Sequence, residues 1–235
     1  MFSWTPKTIA WYNAAAKASH YHRDLALLLM QDIDEQETVG DIGCGLGYLS
    51  LELAQKCRNV VAVDIDVNAL SALYKQQKDN INVICADAKA LPPDLFVDTA
   101  VLCFFGRISE NDNLDKYLAI CKRRLICVVS NSSYSAASQT GKSFMRKERP
   151  LEIEAYLNNR QKAYKKREAE FEFGQPFDTF TEAVEYIRYH SNDCDEALAA
   201  AHANAHLQQL PNGGYYLPYC KKVAIFIIEK QEEIK

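Results

Sequence analysis

The chain has 235 residues, of which 48% are hydrophobic and 25% charged, with a net charge of −4 and a pI of about 5.8. This length fits one α/β domain with embellishments. The acidic balance argues against broad affinity for nucleic acids or anionic membranes, but it is compatible with a local basic patch. No apolar run approaches the roughly 18 residues of a membrane span, and the N-terminus lacks a signal peptide's basic-then-apolar order.

Eight cysteines are spread along the chain without a C-x-x-C pair. Several lie in apolar, strand-like runs, as is typical of small buried thiols in a reducing compartment. The sequence therefore predicts a cytoplasmic protein with no membrane partner.

Strands and helices alternate through the first two thirds of the chain. Residues 8–30 have helical composition without Gly or Pro and predict one long helix or two. Helices of about ten residues then separate five short apolar segments, which read "ETVGDIG", "NVVAVDI", "INVICAD", "VDTAVLCFFG" and "RRLICVVSN". This order predicts a parallel sheet wound by right-handed crossovers.

The last third is less regular. The segment 151–168 predicts a helix, and "AEFEFGQPF" at 169–177 predicts an exposed edge strand. Two helices then precede a final strand, "KKVAIFIIEK" at 221–230. We expect an α/β fold with a doubly wound, mostly parallel sheet of seven strands. Its last strand is antiparallel, with an N-terminal helical cap and a helical insertion before that strand.

A glycine-rich turn at 43–47 follows the first strand and opens a helix. Such a turn leaves backbone N–H groups free where a ligand can approach closely. No Lys-Ser/Thr pair follows, so it is not a Walker turn. Tyr48 occupies the place of the last small residue in a dinucleotide fingerprint. Asp41 would repel a pyrophosphate and attract a positive group, so the turn favours a nucleoside with a positively charged tail.

Two more acids end the next two strands. Asp64 ends the second strand, where an acid accepts hydrogen bonds from ribose hydroxyls in doubly wound sheets. Asp87 ends the third strand, where its carboxylate can bind an exocyclic amine of a base. Three acids at successive strand ends predict a nucleoside site, and a conventional dinucleotide site is the alternative.

These segments resemble the motifs of the class I, Rossmann-like S-adenosylmethionine-dependent methyltransferases. "VGDIGCGLG" matches the first motif, "VVAVDI" the second and "NVICADA" the third, and the resemblance covers residues 37–131. It implies S-adenosylmethionine as the cofactor and S-adenosylhomocysteine as its product. It also implies that Asp41 lies near the methionine ammonium, Gly43 and Gly45 pass beneath the cofactor, Asp64 holds the ribose diol, Asp87 meets the adenine amine, and Ile65 and Ala88 flank the adenine ring. The remaining predicted cofactor-binding residues are Cys44, Gly47, Cys103 and Phe104.

The chain is predicted to form a single domain, 1–235, in three parts. Residues 1–36 form a helical cap, residues 37–131 the cofactor-binding half, and residues 132–235 the substrate-side half with the inserted helices.

The methyl acceptor is expected at the exit of the fourth strand, because ligands lie beyond the carboxyl ends of parallel strands. Enzymes that methylate the exocyclic amines of bases share an Asn/Asp-Pro-Pro-aromatic motif at this position. This chain lacks the motif, which argues against methylation of a base amine. No Pro-Cys pair marks Cys103 as a nucleophile, and it is expected in the core. One of Phe104 and Phe105 should line the pocket while the other joins the core, since alternate strand residues face opposite ways. Arg107 could bind a substrate carboxylate or phosphate, or be a solvated loop residue.

The N-terminal helix supplies a further candidate. Tyr12 and Tyr21 are nine residues apart and would lie on opposite faces of one continuous helix, so at most one can face the site. Tyr21 is our candidate on the substrate side, and an aromatic face packed on the sheet is the alternative.

Two other patterns have weaker functional interpretations. Two pairs of potential zinc ligands have i, i+4 spacing: His190 with Cys194, and His202 with His206. The glutamate of the zincin motif is absent, and no metal is predicted. Basic residues at 142–150 and 158–168 could form an RNA-binding patch or a solvated face.

The sequence thus predicts methyl transfer from S-adenosylmethionine to an oxygen, nitrogen or carbon atom of a small molecule. The cap and the polar loop after the fifth strand suggest an enclosed pocket. An RNA methyltransferase and a non-catalytic cofactor-binding domain are the alternatives. No catalytic residue is predicted, because displacement at a sulfonium mainly requires positioning and exclusion of water.

Overall fold

The computed structural model describes residues 4–76, 78–91, 95–132, 137, 149–191, 194–211 and 213–230. Within these residues the elements are, in chain order, α1 Pro6–Ala18, α2 Tyr21–Leu29, β1 Thr38–Ile42, α3 Tyr48–Leu53, β2 Asn59–Asp64, α4 Val67–Tyr74, β3 Ile81–Cys85, a 3-10 helix Ala88–Ala90, β4 Val97–Cys103, α5 Asn113–Ile120, β5 Cys121–Ser130, α6 Pro150–Asn159, β6 Tyr164–Glu172, β7 Gln175–Phe177, α7 Phe180–His190, α8 Glu196–His206, β8 Gln208–Gln209, β9 Tyr215–Leu217 and β10 Cys220–Glu229.

Seven strands form the main sheet in the order β3-β2-β1-β4-β5-β10-β6. The first five strands in this order, β3, β2, β1, β4 and β5, are parallel to one another. Strand β10 runs antiparallel to both of its neighbours, β5 and β6. This confirms the predicted mostly parallel sheet with an antiparallel last strand. The carboxyl ends of β1, β2 and β4 therefore meet at one edge, where the glycine turn lies.

Apolar side chains fill both faces of this sheet. On one face, helices α5 and α6 contribute Leu114 and Ile153 to a cluster that includes the fully buried Phe226. On the other face, α2 and α3 contribute Leu25 and Leu53. Burial on both faces explains why the central strands read as nearly continuous apolar runs.

The helix predicted over 151–168 is wrong in its second half. Helix α6 ends at Asn159, and residues from Tyr164 onward form strand β6. This strand pairs with β10 over its whole length, from Tyr164 opposite Ile228 to Glu172 opposite Cys220. Pairing with an apolar neighbour overrides the helical composition of the charged segment.

A second, smaller sheet was not predicted from the sequence. Strands β7, β9 and β8 form it in that order, and α7 and α8 pack on it around a separate apolar cluster. We refer to these elements, residues 175–217, as the small lobe. They occupy the predicted insertion between β6 and β10.

The described part of the chain contains no helix long and apolar enough to cross a membrane.

Candidate functional site

The glycine turn is fixed to strand β2 by backbone and side-chain hydrogen bonds. The N–H of Gly43 donates to the carbonyl oxygen of Val63 at 2.7 Å. The N–H of Gly45 donates to Oδ2 of Asp64 at 2.8 Å, and the N–H of Asp66 donates to Oδ1 at 2.9 Å. Asp64 thus holds the turn in addition to its predicted ribose role, and it stands at the carboxyl end of β2.

Asp41 lies beneath the same turn and is almost fully buried. Its Oδ2 accepts a hydrogen bond from the hydroxyl of Ser50 at 2.6 Å. Burial raises the pKa of Asp41 to about 6, and the charge of Asp64 adds to this, while the Ser50 hydrogen bond opposes it. The turn therefore covers a carboxylate whose burial outweighs its hydrogen bond with Ser50.

Aromatic rings lie on two of the three glycines. All three have positive φ, at 79° for Gly43, 53° for Gly45 and 76° for Gly47. A Cβ added to Gly43 would lie 2.4 Å from Cγ of Phe105, and one added to Gly45 would lie 3.0 Å from Cζ2 of Trp4. The backbone of this turn is thus in direct contact with both rings. The third glycine, Gly47, precedes α3 and packs against an α4 leucine.

Replacement of Gly43 by alanine should destabilise the protein by roughly 2–4 kcal/mol, because a left-handed backbone cost adds to the overlap with Phe105. Gly213→Ala is the matched control, since Gly213 also has a positive φ of 89° but no atom within 4 Å of an added Cβ. It should lose only the backbone part, roughly 1–2 kcal/mol. Urea unfolding measures both variants, and equal losses would contradict the packing of Phe105 on Gly43.

The exit of β4 departs from strand geometry immediately. Phe104 has a φ of 55°, and its N–H donates to the carbonyl oxygen of Val128 at 2.8 Å. Phe104 and Phe105 are each 38% exposed. The expectation that one of them joins the core is therefore wrong, because β4 ends at Cys103 and the alternation of faces ends with it.

The N-terminal helix breaks at Ser19, and this break changes the positions of its tyrosines. Tyr12 lies on α1 and Tyr21 on α2, so the opposite-face expectation for one continuous helix is wrong. Both pack around His22: the hydroxyl of Tyr12 is hydrogen-bonded to Nε2 of His22 at 2.8 Å, and the Tyr21 ring lies 4.8 Å from the imidazole. Burial, together with the charge of Lys221, lowers the pKa of His22 to about 3, so the imidazole is neutral.

The cap is joined to the glycine turn by Tyr48, the first residue of α3. Its ring stacks on His22 with centroids 5.1 Å apart, and its hydroxyl donates to the side chain of Asn13 at 3.0 Å. The bulky residue that distinguished this turn from a dinucleotide fingerprint therefore attaches the cap. This role was not predicted from the sequence.

An ammonium group lies among aromatic rings beside the exit of β4. The Nζ atom of Lys221 is 4.1 Å from the ring centroid of Phe104, 4.5 Å from that of Tyr21 and 4.9 Å from that of Phe173. We call this group the Lys221 cage. The hydroxyl of Tyr21 also lies 4.0 Å from Sγ of Cys103. Lys221 and Phe173 were not candidates from the sequence, because they come from β10 and the end of β6.

The predicted adenine-binding residues lie at the ends of β2 and β3. Ile65 is 48% exposed, Asp87 is exposed, and Ala88 opens the 3-10 helix. The N–H of Ala86 donates to the carbonyl oxygen of Asp64 at 3.0 Å and brings the two strand ends together. The exposed Ile65 and Asp87 thus follow two strand ends that are joined by a backbone hydrogen bond.

The two cysteines of the predicted site are poor nucleophiles. Burial raises the pKa of Cys103 to about 12, although the charge of Lys221 opposes the shift. Burial likewise raises the pKa of Cys44 well above its ordinary range. Both are thiols at neutral pH, so neither supplies the thiolate needed for covalent catalysis.

Arg107 has a partner of its own. Its guanidinium forms an ion pair with Glu110 at 2.8 Å. It lines a cavity of about 350 Å³, together with residues of α6 such as Tyr156. A role for Arg107 in binding a substrate anion remains a prediction.

Among the described residues, no group of three or more His, Cys, Asp and Glu side chains could hold a metal ion. His190 packs against Trp11 and Tyr186. The rings of His202 and His206 lie 4.3 Å apart on α8. The i, i+4 spacing therefore does not gather these four potential ligands into one cluster.

The basic stretch 158–168 is largely neutralised by acids. Arg160 pairs with Asp115 at 2.7 Å, and Lys166 lies 2.9 Å from both Glu154 and Glu168. Arg167 is paired with Asp32. Most of the other basic stretch, 142–150, lies outside the described residues.

Part of the sequence is similar to known methyltransferases. Residues 39–126 match the family model described as a methyltransferase domain. A ribosomal RNA small subunit methyltransferase A of Methanosarcina acetivorans is 33% identical over 64 residues, 26% of this chain and 24% of that protein. A tRNA methyltransferase of Mycoplasma pneumoniae is 45% identical over 65 residues, 26% of this chain and 30% of that protein. The matches thus span less than a third of these curated relatives.

The whole fold also resembles solved structures. Magnesium protoporphyrin IX methyltransferase of Synechocystis, crystallised with S-adenosylhomocysteine, superposes with a TM-score of 0.56 over 98% of this chain and 90% of that chain. At 12% identity this similarity shows the fold alone. The fold and the matched segment define a Rossmann-like methyltransferase domain. Residues 39–126 are thus similar to a methyltransferase domain, and the solved structures of this fold include one that holds S-adenosylhomocysteine.

Proposed function

We propose that this protein transfers the methyl group of S-adenosylmethionine to a small-molecule acceptor. The observation that carries the proposal is the covered glycine turn, with a buried carboxylate beneath it and Asp64 bound to its backbone. A carboxylate with a raised pKa gains most from a positive ligand, because the ligand's charge offsets its burial. The methionine ammonium and the sulfonium of S-adenosylmethionine supply such charges.

The proposed cofactor site follows the edge of the sheet from β1 to β3. Asp41 attracts the ammonium, and the backbone from Gly43 to Gly47, including Cys44, runs beneath the cofactor. Asp64 accepts hydrogen bonds from the ribose, and the adenine lies between Ile65 and Ala88 with its amine toward Asp87. Cys103 closes the β4 side of this path.

The acceptor is proposed to bind between the exit of β4 and the cap. Phe104 and Phe105 line this space with partly exposed rings, while Tyr21 is 2% exposed and packs against Lys221. Trp4 on Gly45 and Phe105 on Gly43 would move aside for the cofactor and then cover it. The protein's contribution to methyl transfer is to align the acceptor with the sulfonium and to exclude water.

Ligand binding tests this proposal directly. Calorimetry should detect S-adenosylhomocysteine binding, whereas NAD should give no heat. The chain has two tryptophans, so Trp11→Phe leaves Trp4 as the reporter. Fluorescence of this variant should change on addition of S-adenosylhomocysteine, while the matched Trp4→Phe variant should stay silent. Tight binding of NAD, or no binding of S-adenosylhomocysteine, would overturn the proposal.

The two curated relatives that match a short segment of this chain are named as RNA methyltransferases, which favours methylation of RNA as a second candidate function. Against it stands the pairing of Arg160, Lys166 and Arg167 with acids, since a phosphate-binding surface needs available cations. A titration with tRNA at 50 and 200 mM salt separates the two. Strong, steeply salt-dependent binding favours RNA, and transfer to no acceptor of either class favours a non-catalytic cofactor-binding domain.

A further inference from the structure

The Lys221 cage is built from four distant parts of the chain. Lys221 is the second residue of β10, Phe104 follows β4, Tyr21 opens α2 and Phe173 follows β6. Three ring faces within 5 Å of one ammonium hold it by cation–π attraction and keep water from part of its surface. Such a group is already ordered before any ligand arrives, which lowers the entropic cost of binding.

The cage lies at the edge of the sheet where the acceptor is proposed to bind. On β10, Val223 pairs with Ser130, the last residue of β5. Because the two strands are antiparallel, Lys221 lies two residues beyond the carboxyl end of β5. Its charge opposes the rise in the pKa of Cys103, the last residue of β4. Phe104 belongs to the cage and Phe105 lies against Gly43, and each ring is 38% exposed. A ligand in contact with these two rings would meet the ammonium of Lys221.

The charge at this position selects among acceptors. The sulfonium and Lys221 are both positive, so a cationic acceptor would be repelled by both and an anion attracted by both. A carboxylate or phosphate would form a charge-assisted hydrogen bond with the ammonium. The ring faces of Phe104 and Phe105 favour an apolar or aromatic body attached to that anion.

We infer that Lys221 is the anion-recognising residue of the acceptor site, and that the acceptor is a small molecule with a carboxylate or phosphate on an apolar or aromatic body. The inference rests on the proposed function, because it takes the exit of β4 as the acceptor site.

The test uses protein saturated with S-adenosylhomocysteine and two matched pairs of probes. Benzoate is compared with benzamide, and phenyl phosphate with phenol, by ligand-observed NMR titration. In the wild type, at least one anion should bind about tenfold or more tightly than its neutral partner. Lys221→Met should abolish this preference, whereas Lys221→Arg should retain it. Which pair shows the preference distinguishes a carboxylate from a phosphate.

Lys222→Met is the matched control, because the adjacent Lys222 is exposed and paired with Glu170 at 2.9 Å. It should keep the preference for the anion. Equal binding within both probe pairs, or a preserved preference in Lys221→Met, would overturn the inference. So would a loss of S-adenosylhomocysteine affinity in Lys221→Met, since Lys221 would then serve the cofactor. Displacement of the anion by a short single-stranded RNA would overturn the inference that the acceptor is a small molecule. Failure of the wild type to bind S-adenosylhomocysteine would refute the proposed function itself.

Discussion

Asp64→Ala is expected to weaken S-adenosylhomocysteine binding by about a hundredfold or more. Two hydrogen bonds from ribose hydroxyls to a carboxylate would be lost, each contributing roughly 1.5–3 kcal/mol. The substitution also removes the acceptor for the N–H groups of Gly45 and Asp66, so the glycine turn should loosen. Calorimetry measures the affinity, and thermal unfolding of the ligand-free protein measures the second effect.

A neighbouring acid provides the control for this prediction. Asp66 caps α4 by accepting from the N–H groups of Asn68 and Ala69, and asparagine can make the same hydrogen bonds. Asp66→Asn should therefore bind S-adenosylhomocysteine nearly as the wild type does. If Asp64→Ala kept wild-type affinity, the ribose would have to lie elsewhere.

Asp41→Asn is expected to stabilise the ligand-free protein at pH 7 by about 3 kcal/mol, while weakening cofactor binding. The pKa of Asp41 rises from an ordinary value of 3.8 to about 6 on folding, and each pKa unit corresponds to about 1.4 kcal/mol. Between these two values the folded state keeps a proton that the unfolded state has released. Stability from this group is therefore lost as pH rises from 3.8 to 6, and asparagine avoids that loss while still accepting from Ser50.

His22 titrates in the opposite sense. Its pKa falls from 6.5 to about 3 on folding, so the unfolded state binds the extra proton over that range. Stability from His22 is lost as pH falls below 6.5, and the two groups partly offset each other between pH 4 and 6. In Asp41→Asn only the His22 effect remains, so the free energy of unfolding should rise with pH more steeply than in the wild type.

Urea unfolding at pH 4, 5, 6 and 7 without ligand measures these slopes. The double variant Asp41→Asn/His22→Phe should lose the steep slope that Asp41→Asn shows. Asp79→Asn removes an exposed carboxylate instead and should change stability by less than about 0.5 kcal/mol. If Asp41→Asn were less stable than the wild type at pH 7, the buried carboxylate would have to be stabilised by its surroundings.

The sequence predicted the elements that local pattern determines. The strands from β1 to β5 are short apolar runs between helices, and their order gives the parallel sheet without further information. The glycine turn and Asp64 were visible because a fixed spacing links them. Asp64 nevertheless has a second partner, the N–H of Gly45, which depends on the three-dimensional turn.

Features set by long-range contacts were missed or mispredicted. Strand β6 has the charged composition of a surface helix and becomes a strand only because β10 pairs with it. The break after α1 contains neither Gly nor Pro, so nothing in the composition placed Tyr12 and Tyr21 around one histidine. The Lys221 cage joins residues from both ends of the chain, and no local pattern could assemble it.

The attachment of α1 connects the small lobe to Trp4, whose indole lies against Gly45 of the glycine turn. The indole N–H of Trp11 donates to Glu182 on α7 at 3.1 Å, and the carbonyl oxygen of Trp11 accepts from Gln175 on β7 at 3.0 Å. Lys7 is also ion-paired with Glu185. Because Trp4 precedes this anchored helix, a swing of the small lobe would pull the indole off Gly45. On the proposed function, entry of the cofactor and exit of the product would then depend on the position of the small lobe.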